Sequence, residues 1–231
     1  MLEALELHQY YGGSHTLRGV SVSVPDASCT CVIGRNGVGK TTMLKAIMGL
    51  VPLRSGSIRF GERDLGGAEA SARARAGIGY VPQGRDIVPE LTVEENLRVG
   101  RLGQARGRRD IPDLVFRLFP VLRTMMRRRG GNLSGGQQQQ LAIARALTLE
   151  PKCVLLDEPT EGIQPSIVHE LGEVIRRLVS EESVSVLLVE QKLPFARRIA
   201  ERFFLLERGA VVAQGAMEEL SDDLVRKHLT V

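Results

Sequence analysis

Apolar and polar positions change period repeatedly along the chain, and each change marks an element. Val20, Val22 and Val24 alternate with Ser21 and Ser23, a period of two that predicts a strand ended by the turn Pro25-Asp26. Residues 28–33 form a short apolar run that predicts a buried strand, and residues 42–48 a helix stopped by Gly49-Leu50-Val51-Pro52. Strands are predicted at 57–60 and 78–81, with an Ala/Arg-rich helix at 68–76 between them. A helical pattern then runs from Thr92 to about Arg129. It is carried by Val93, Leu97 and Val99 and then by Leu114, Val115, Leu118, Leu122 and Met125, with a basic, glycine-containing loop at 101–109. A further helix runs from Ser134 through Leu147. Strands at 153–158 and 184–189 each precede a helix, the first spanning 165–178 and the second reaching about Glu201. Two apolar runs flanking Arg208-Gly209 predict a hairpin, and a short helix at 218–228 follows. Strands alternating with helices imply a largely parallel sheet.

Within this frame, Gly34-Arg35-Asn36-Gly37-Val38-Gly39-Lys40-Thr41-Thr42 reads G-x-x-x-x-G-K-T between a predicted strand and a predicted helix. Backbone N–H groups at such a turn converge on one point, and the helix dipole adds positive potential there. The glycines allow close wrapping of a phosphate, Lys40 supplies a point charge for β- and γ-phosphates, and the Thr41 hydroxyl can ligate Mg²⁺.

Other positions gain meaning beside that loop. Gly130-Gly131-Asn132-Leu133-Ser134-Gly135-Gly136 opens a helix with Ser134 at its N-cap, a second anion-binding start by the same backbone logic. Asp157 and Glu158 end an apolar strand at the edge where open α/β sheets place ligands. Asp157 can hold Mg²⁺ through water, and Glu158 can accept a proton from an attacking water. Gln83, at another strand end, is a neutral amide able to touch a metal or a water. The Tyr10-Tyr11-Gly12-Gly13 turn offers an aromatic that either stacks on a base or packs half-buried at a strand end. Arg127-Arg128-Arg129 is either a solvated basic turn or a contact for lipid head groups or an acidic partner.

Composition narrows the class. At 231 residues, 43% hydrophobic and 25% charged, the chain is an ordinary globular length and mix. No stretch approaches the roughly 18 apolar residues of a membrane span, and the first residues lack a basic start followed by an apolar core. A net charge of +4 with only 4% aromatics argues against a nucleic-acid surface built on base stacking. Three cysteines, Cys29, Cys31 and Cys153, with no secretory signal point to a reducing compartment. Cys29 and Cys31 share one strand face and read as core. None of His8, His15, His169 and His228 has a metal-ligand spacing.

The phosphate loop, Leu133-Ser134-Gly135-Gly136-Gln137 and the Asp157-Glu158 strand end follow in an order that resembles the ATP-binding cassette (ABC) ATPases of transporters. The resemblance covers essentially the whole chain. It implies an ABC nucleotide-binding fold: a mostly parallel α/β phosphate-loop sheet, an N-terminal antiparallel β subdomain and an inserted helical subdomain. Residues 1–231 would form one ATP-binding domain, with 1–84 and 150–231 as core and 85–149 as helical lobe. It implies ATP and Mg²⁺ as ligands. Lys40, Thr41 and the loop backbone would hold the phosphates, Asp157 and Gln83 would attend the metal, Glu158 would be the general base, and Tyr11 would stack on adenine. Ser134, Gly135, Gly136 and Gln137 would grip ATP held by a second ATPase subunit. Two membrane permeases and, indirectly, a periplasmic solute-binding protein would complete an assembly at the cytoplasmic face of a bacterial inner membrane.

Two positions depart from the family pattern. Gln191 stands where a switch histidine is usual, and Gln164 where a D-loop Asp is usual. An amide can hydrogen-bond a γ-phosphate but cannot become cationic. The resemblance is therefore to one of two unlike ATPase subunits in the branched-chain amino acid and urea importer group. Tyr10-Tyr11-Gly12-Gly13-Ser14-His15, Val81-Pro82-Gln83-Gly84-Arg85, residues 137–140 and Glu161-Gly162-Ile163-Gln164-Pro165-Ser166 are most similar to the urea type. The branched-chain type more often carries Glu at the position of Gln83. A soluble, non-transport cassette protein is the competing class. Such proteins usually have two cassettes or a long coiled-coil insertion, and this chain shows neither.

Overall fold

A computed structural model describes residues 1–102 and 110–229. Two sheets organise it. The first is antiparallel, in the order β2 (Ser14–Val24), β1 (Leu2–Tyr11), β4 (Ser55–Phe60), β5 (Arg63–Asp64). The second has six strands, β10 (Ala210–Ala216), β9 (Arg202–Glu207), β3 (Cys29–Ile33), β8 (Ser185–Glu190), β7 (Cys153–Asp157) and β6 (Ile78–Val81), parallel except for the β9–β10 hairpin. β3, β7 and β8 are buried along their whole length, which explains why they read as unbroken apolar runs.

Helices α1 (Lys40–Ile47), α2 (Ala70–Arg75), α3 (Val93–Arg101), α4 (Asp113–Leu118), α5 (Pro120–Thr124), α6 (Gly135–Leu147), α7 (Pro165–Ser180), α8 (Leu193–Ile199) and α9 (Asp222–Leu229) complete the described chain. None of them is long and apolar enough to cross a membrane. The six-stranded sheet divides the interior. Cys29, Cys31 and Ile33 face one apolar cluster, with α6, α7 and α8 residues such as Leu141, Ile175 and Phe195. Val32 faces the other, with Met43 and Leu44 of α1 and Leu2, Leu7 and Val20 of the antiparallel sheet. Burial pushes the thiols of Cys29 and Cys31 far up, so both act as packing groups.

Several boundaries differ from the periodicity. The helix after the phosphate loop begins at Lys40, two residues earlier, because left-handed Gly39 is its N-cap. Tyr10 and Tyr11 belong to strand β1, and the turn is Gly12-Gly13, with Gly12 at φ +56°. Among the described residues the 92–129 pattern is three helices. Pro112 precedes α4, and Phe119, ahead of Pro120, leaves the helical region and breaks α4 from α5. Arg101 is the last residue of α3, buried, with Nη1 donating to the Thr148 carbonyl at 2.7 Å. Of the loop placed at 101–109, residues 103–109 lie outside the described residues. The C-terminal helix is a 3-10 turn at Met217–Glu219 followed by α9, whose start is capped by the Ser221 hydroxyl accepting from Leu224 N at 3.2 Å.

One joint links the two sheets to the phosphate loop. Gly209, in the β9–β10 turn, donates its N–H to the Val38 carbonyl at 3.0 Å and accepts from the Arg18 N–H at 2.7 Å. Its φ is +82°, and a Cβ there would lie 2.3 Å from the Thr16 carbonyl oxygen. Only glycine fits.

Candidate nucleotide site

The C-terminal ends of β3, β7, β8 and β6 meet at one edge and deliver the candidate residues together. After β3, Gly37 and Gly39 take φ +78° and +108°, and a Cβ on Gly34 would lie 2.5 Å from the Leu206 carbonyl oxygen. No side chain caps α1, which leaves its first N–H groups aimed into the turn. Lys40 is 4% exposed. Its Nζ donates to the carbonyls of Gly34 at 2.8 Å and Arg35 at 2.9 Å, and pairs with Glu158 Oε1 at 3.1 Å.

β7 ends on Asp157, whose Oδ1 accepts from the Thr41 hydroxyl at 3.2 Å. Asp157 Oδ2 is buried with no hydrogen-bond partner among the described residues. Burial raises the Asp157 pKa above the ordinary carboxylate value. The Thr41 hydrogen bond opposes that rise, the charge of Glu158 adds to it, and Lys40 and the Gln83 backbone oppose it again. A hydroxyl, a carboxylate and an unsatisfied oxygen at one place fit a hard divalent cation.

Glu158 takes a left-handed φ of +47°, a conformation that costs a residue with a side chain about 1–2 kcal/mol. Its N–H donates to the Val189 carbonyl at 2.9 Å, so the neighbouring strand holds the strain in place. Gln191, just past β8, donates Nε2 to Glu158 Oε1 at 2.7 Å and also to Asn36 Oδ1. Lys40, Glu158, Gln191 and Asn36 thus form one connected group at the mouth of the loop.

Gln83, just past β6, donates to Glu161 Oε2 at 2.9 Å and lies 3.5 Å from Glu158 Oε2. Its amide sits between two carboxylates. Tyr11 is 49% exposed at the end of β1, while Tyr10 is stacked on His15 at 4.1 Å between ring centroids. The free aromatic at that edge is therefore Tyr11.

Ser134 caps α6. Its hydroxyl accepts from Gln137 N at 3.3 Å, and Gln137 Oε1 accepts from Ser134 N at 3.0 Å. A Cβ on Gly136 would meet Ile167 at 2.9 Å, so α6 and α7 approach closely there. Arg85 and Asp86, both at positive φ, hold the segment after Gln83 against α6: Arg85 Nη1 donates to Gln138 Oε1 at 3.1 Å, and Arg145 Nη2 donates to the Asp86 carbonyl at 2.6 Å. Sequence reasoning gave Arg85, Glu161, Thr160 and Glu190 no role in the site. The two positive-φ residues carry ordinary side chains, and the other contacts cross between loops far apart in sequence. No local pattern announces either.

A glycine cradle at a helix start, a buried lysine, and a carboxylate pair at the end of β7, one strand removed across β8, define a phosphate-loop nucleoside triphosphatase. Comparison with known proteins refines the class. Residues 17–161 match the family model described as ABC transporter. The chain is 41% identical over 213 residues to the high-affinity branched-chain amino acid transport ATP-binding protein BraG of Pseudomonas aeruginosa, covering 92% of this chain and 91% of that protein. It is 35% identical over 221 residues to the probable branched-chain amino acid transport ATP-binding protein LivF of Archaeoglobus fulgidus, covering 95% and 94%. Among solved structures, the ADP conformation of an ATP-binding cassette of an ABC transporter superposes with a TM-score of 0.83 at 26% identity, covering 96% and 95%. The chain belongs to the ABC transporter family and is one of its ATP-hydrolysing subunits.

Proposed function

We propose that this chain is the ATPase of an importer that takes up urea, seated peripherally at the cytoplasmic face of a bacterial inner membrane. Residues 1–231 act as one ATP-binding domain, with 1–84 and 150–231 as core and 85–149 as the lobe that passes motion to two permease subunits. A periplasmic solute-binding protein delivers the cargo. In the ATPase cycle Lys40, Thr42 and the backbone of Gly34, Arg35, Asn36, Gly37, Val38 and Gly39 bind the phosphates, and Tyr11 stacks on adenine. Thr41, Asp157 and Gln83 would hold Mg²⁺, which when bound would neutralise charge on the β- and γ-phosphates. Glu158 takes the proton of the attacking water, and Gln191 donates its amide to the γ-phosphate. Ser134, Gly135, Gly136 and Gln137 cap the nucleotide of a second ATPase subunit.

The observation that carries the choice of cargo class is the Gln83 amide between Glu158 and Glu161. A glutamate there, more frequent in the branched-chain type, would crowd three carboxylates. A second reading, uptake of branched-chain amino acids, is favoured by the names of the relatives above. Uptake of labelled urea and labelled leucine by cells lacking the gene, with and without restored expression, separates the two. Loss of urea uptake alone is expected, and loss of leucine uptake alone overturns it.

Gln191 in place of a cationic switch residue further supports pairing with a different ATPase subunit that keeps a histidine. The purified chain alone should hydrolyse ATP slowly. Full turnover without a second subunit would remove the case for a heterodimer.

A further inference from the structure

Glu190 is the last residue of β8 and is 2% exposed. A carboxylate so placed needs donors on both oxygens, and the donors come from two different loops. Oε1 accepts from the Thr160 hydroxyl; Oε2 accepts from the backbone N–H of Gln191 at 2.7 Å and of Lys192 at 2.9 Å. A second thread runs back the other way, from Lys192 Nζ to the Thr160 carbonyl at 2.8 Å. β7 and β8 are parallel neighbours with Asp157 opposite Val189, so the loops leaving them emerge side by side. Glu158 lies two residues before Thr160, and Gln191 directly follows Glu190.

We infer that Glu190 is a positioning residue for ATP hydrolysis: by clamping the loop after β7 to the loop after β8 it sets where the Gln191 amide stands relative to Glu158. The inference rests on the assignment of Gln191 to the γ-phosphate. Gln191 has a long, rotatable side chain at an exposed edge. Its tip meets Glu158 and Asn36, and its own N–H, at the root of the side chain, is anchored by Glu190. A carboxylate suits this role. Its two oxygens take one hydroxyl on one side and two consecutive N–H groups on the other, which a single hydroxyl at position 190 could not do.

The test uses the full chain with Mg²⁺, titrated by calorimetry with ADP and with the non-hydrolysable imido analogue of ATP. Gln191→Ala should weaken the analogue about tenfold, the loss of one charge-assisted hydrogen bond, and leave ADP unchanged. Glu190→Leu, of similar reach but without acceptors, should weaken the analogue about fivefold, again sparing ADP, and should add nothing in the Gln191→Ala background. Glu190→Gln should stay close to the parent, because its carboxamide oxygen can face the two N–H groups while its NH₂ meets the Thr160 hydroxyl, which rotates to accept. Should the leucine variant fail to fold, Thr160→Val removes one strand of the clamp and should cost the analogue about threefold without touching ADP. Equal losses for ADP and analogue, unchanged analogue binding in Glu190→Leu or Thr160→Val, or losses that multiply in the double variant each overturn the proposal. The two readings fail differently. Full analogue affinity in Gln191→Ala removes the γ-phosphate role of Gln191 and the clamp's purpose with it. A weakened Gln191→Ala beside unaffected Glu190 and Thr160 variants removes the clamp alone.

Discussion

Asp157 stands where burial disfavours its charge. Its pKa is raised chiefly by burial, so the stability that the protonated form supplies is fully present below the unfolded pKa and is lost as pH rises through the folded one. The metal-free chain should therefore give up stability at this residue between acid and neutral pH. Asp157→Asn should raise its melting temperature at pH 7.5 and leave it nearly unchanged near pH 4, as read by differential scanning fluorimetry in EDTA. Glu158→Gln should keep ATP bound and slow phosphate release at least about a hundredfold, the scale of a lost general base; unchanged release in that variant would take the base role away from Glu158. These two carboxylates were legible from the sequence because a short apolar strand ends on them beside a phosphate loop. The Lys40–Glu158 ion pair was not, since 118 positions separate the partners and only the sheet order brings them to 3.1 Å.

At the scale of elements, the helices carry the clearest contrast between pattern and fold. α6 and α7 were readable because each is long and starts with Ser134 or Pro165. The stretch from Leu114 to Met125 looked continuous because its apolar spacing continues, yet Pro120 divides α4 from α5. Proline acts on backbone geometry, which apolar periodicity does not register. Packing between α3 and α6 was not readable at all. A Cβ at Gly100 would lie 2.3 Å from the Thr148 hydroxyl and 2.4 Å from the Arg145 carbonyl, so Gly100 sets how closely α3 approaches. Gly100→Ala should destabilise the chain by about 1–3 kcal/mol through overpacking, seen as a lower guanidinium midpoint. An unchanged midpoint would show that the two helices part freely.

For the molecule as a whole, the order of motifs along the sequence was enough to give the fold class, because the phosphate loop and the Asp157-Glu158 pair each end a strand of one sheet and the Ser134 motif opens helix α6 between them in sequence. What the sequence pattern could not give is the relation between chains: within this one, Ser134 caps its own helix. If it also caps a neighbour's nucleotide, Glu158→Gln should dimerise when ATP is added, measured by light scattering after size exclusion. Ser134→Arg should abolish that dimer while the single chain keeps its ATP affinity. A dimer that survives the arginine would place the second grip elsewhere.

The Gly209 joint bears on how a nucleotide is measured. One residue holds the Val38 carbonyl of the phosphate loop and the Arg18 amide of the strand paired with the tyrosine-bearing edge. If Tyr11 stacks on the base and the loop holds the phosphates, the span between those two contacts is set like the jaws of a caliper, before any ligand arrives. Bending the turn that holds Gly209 would shift both jaws together, so purine grip and triphosphate grip should weaken in step rather than one at a time.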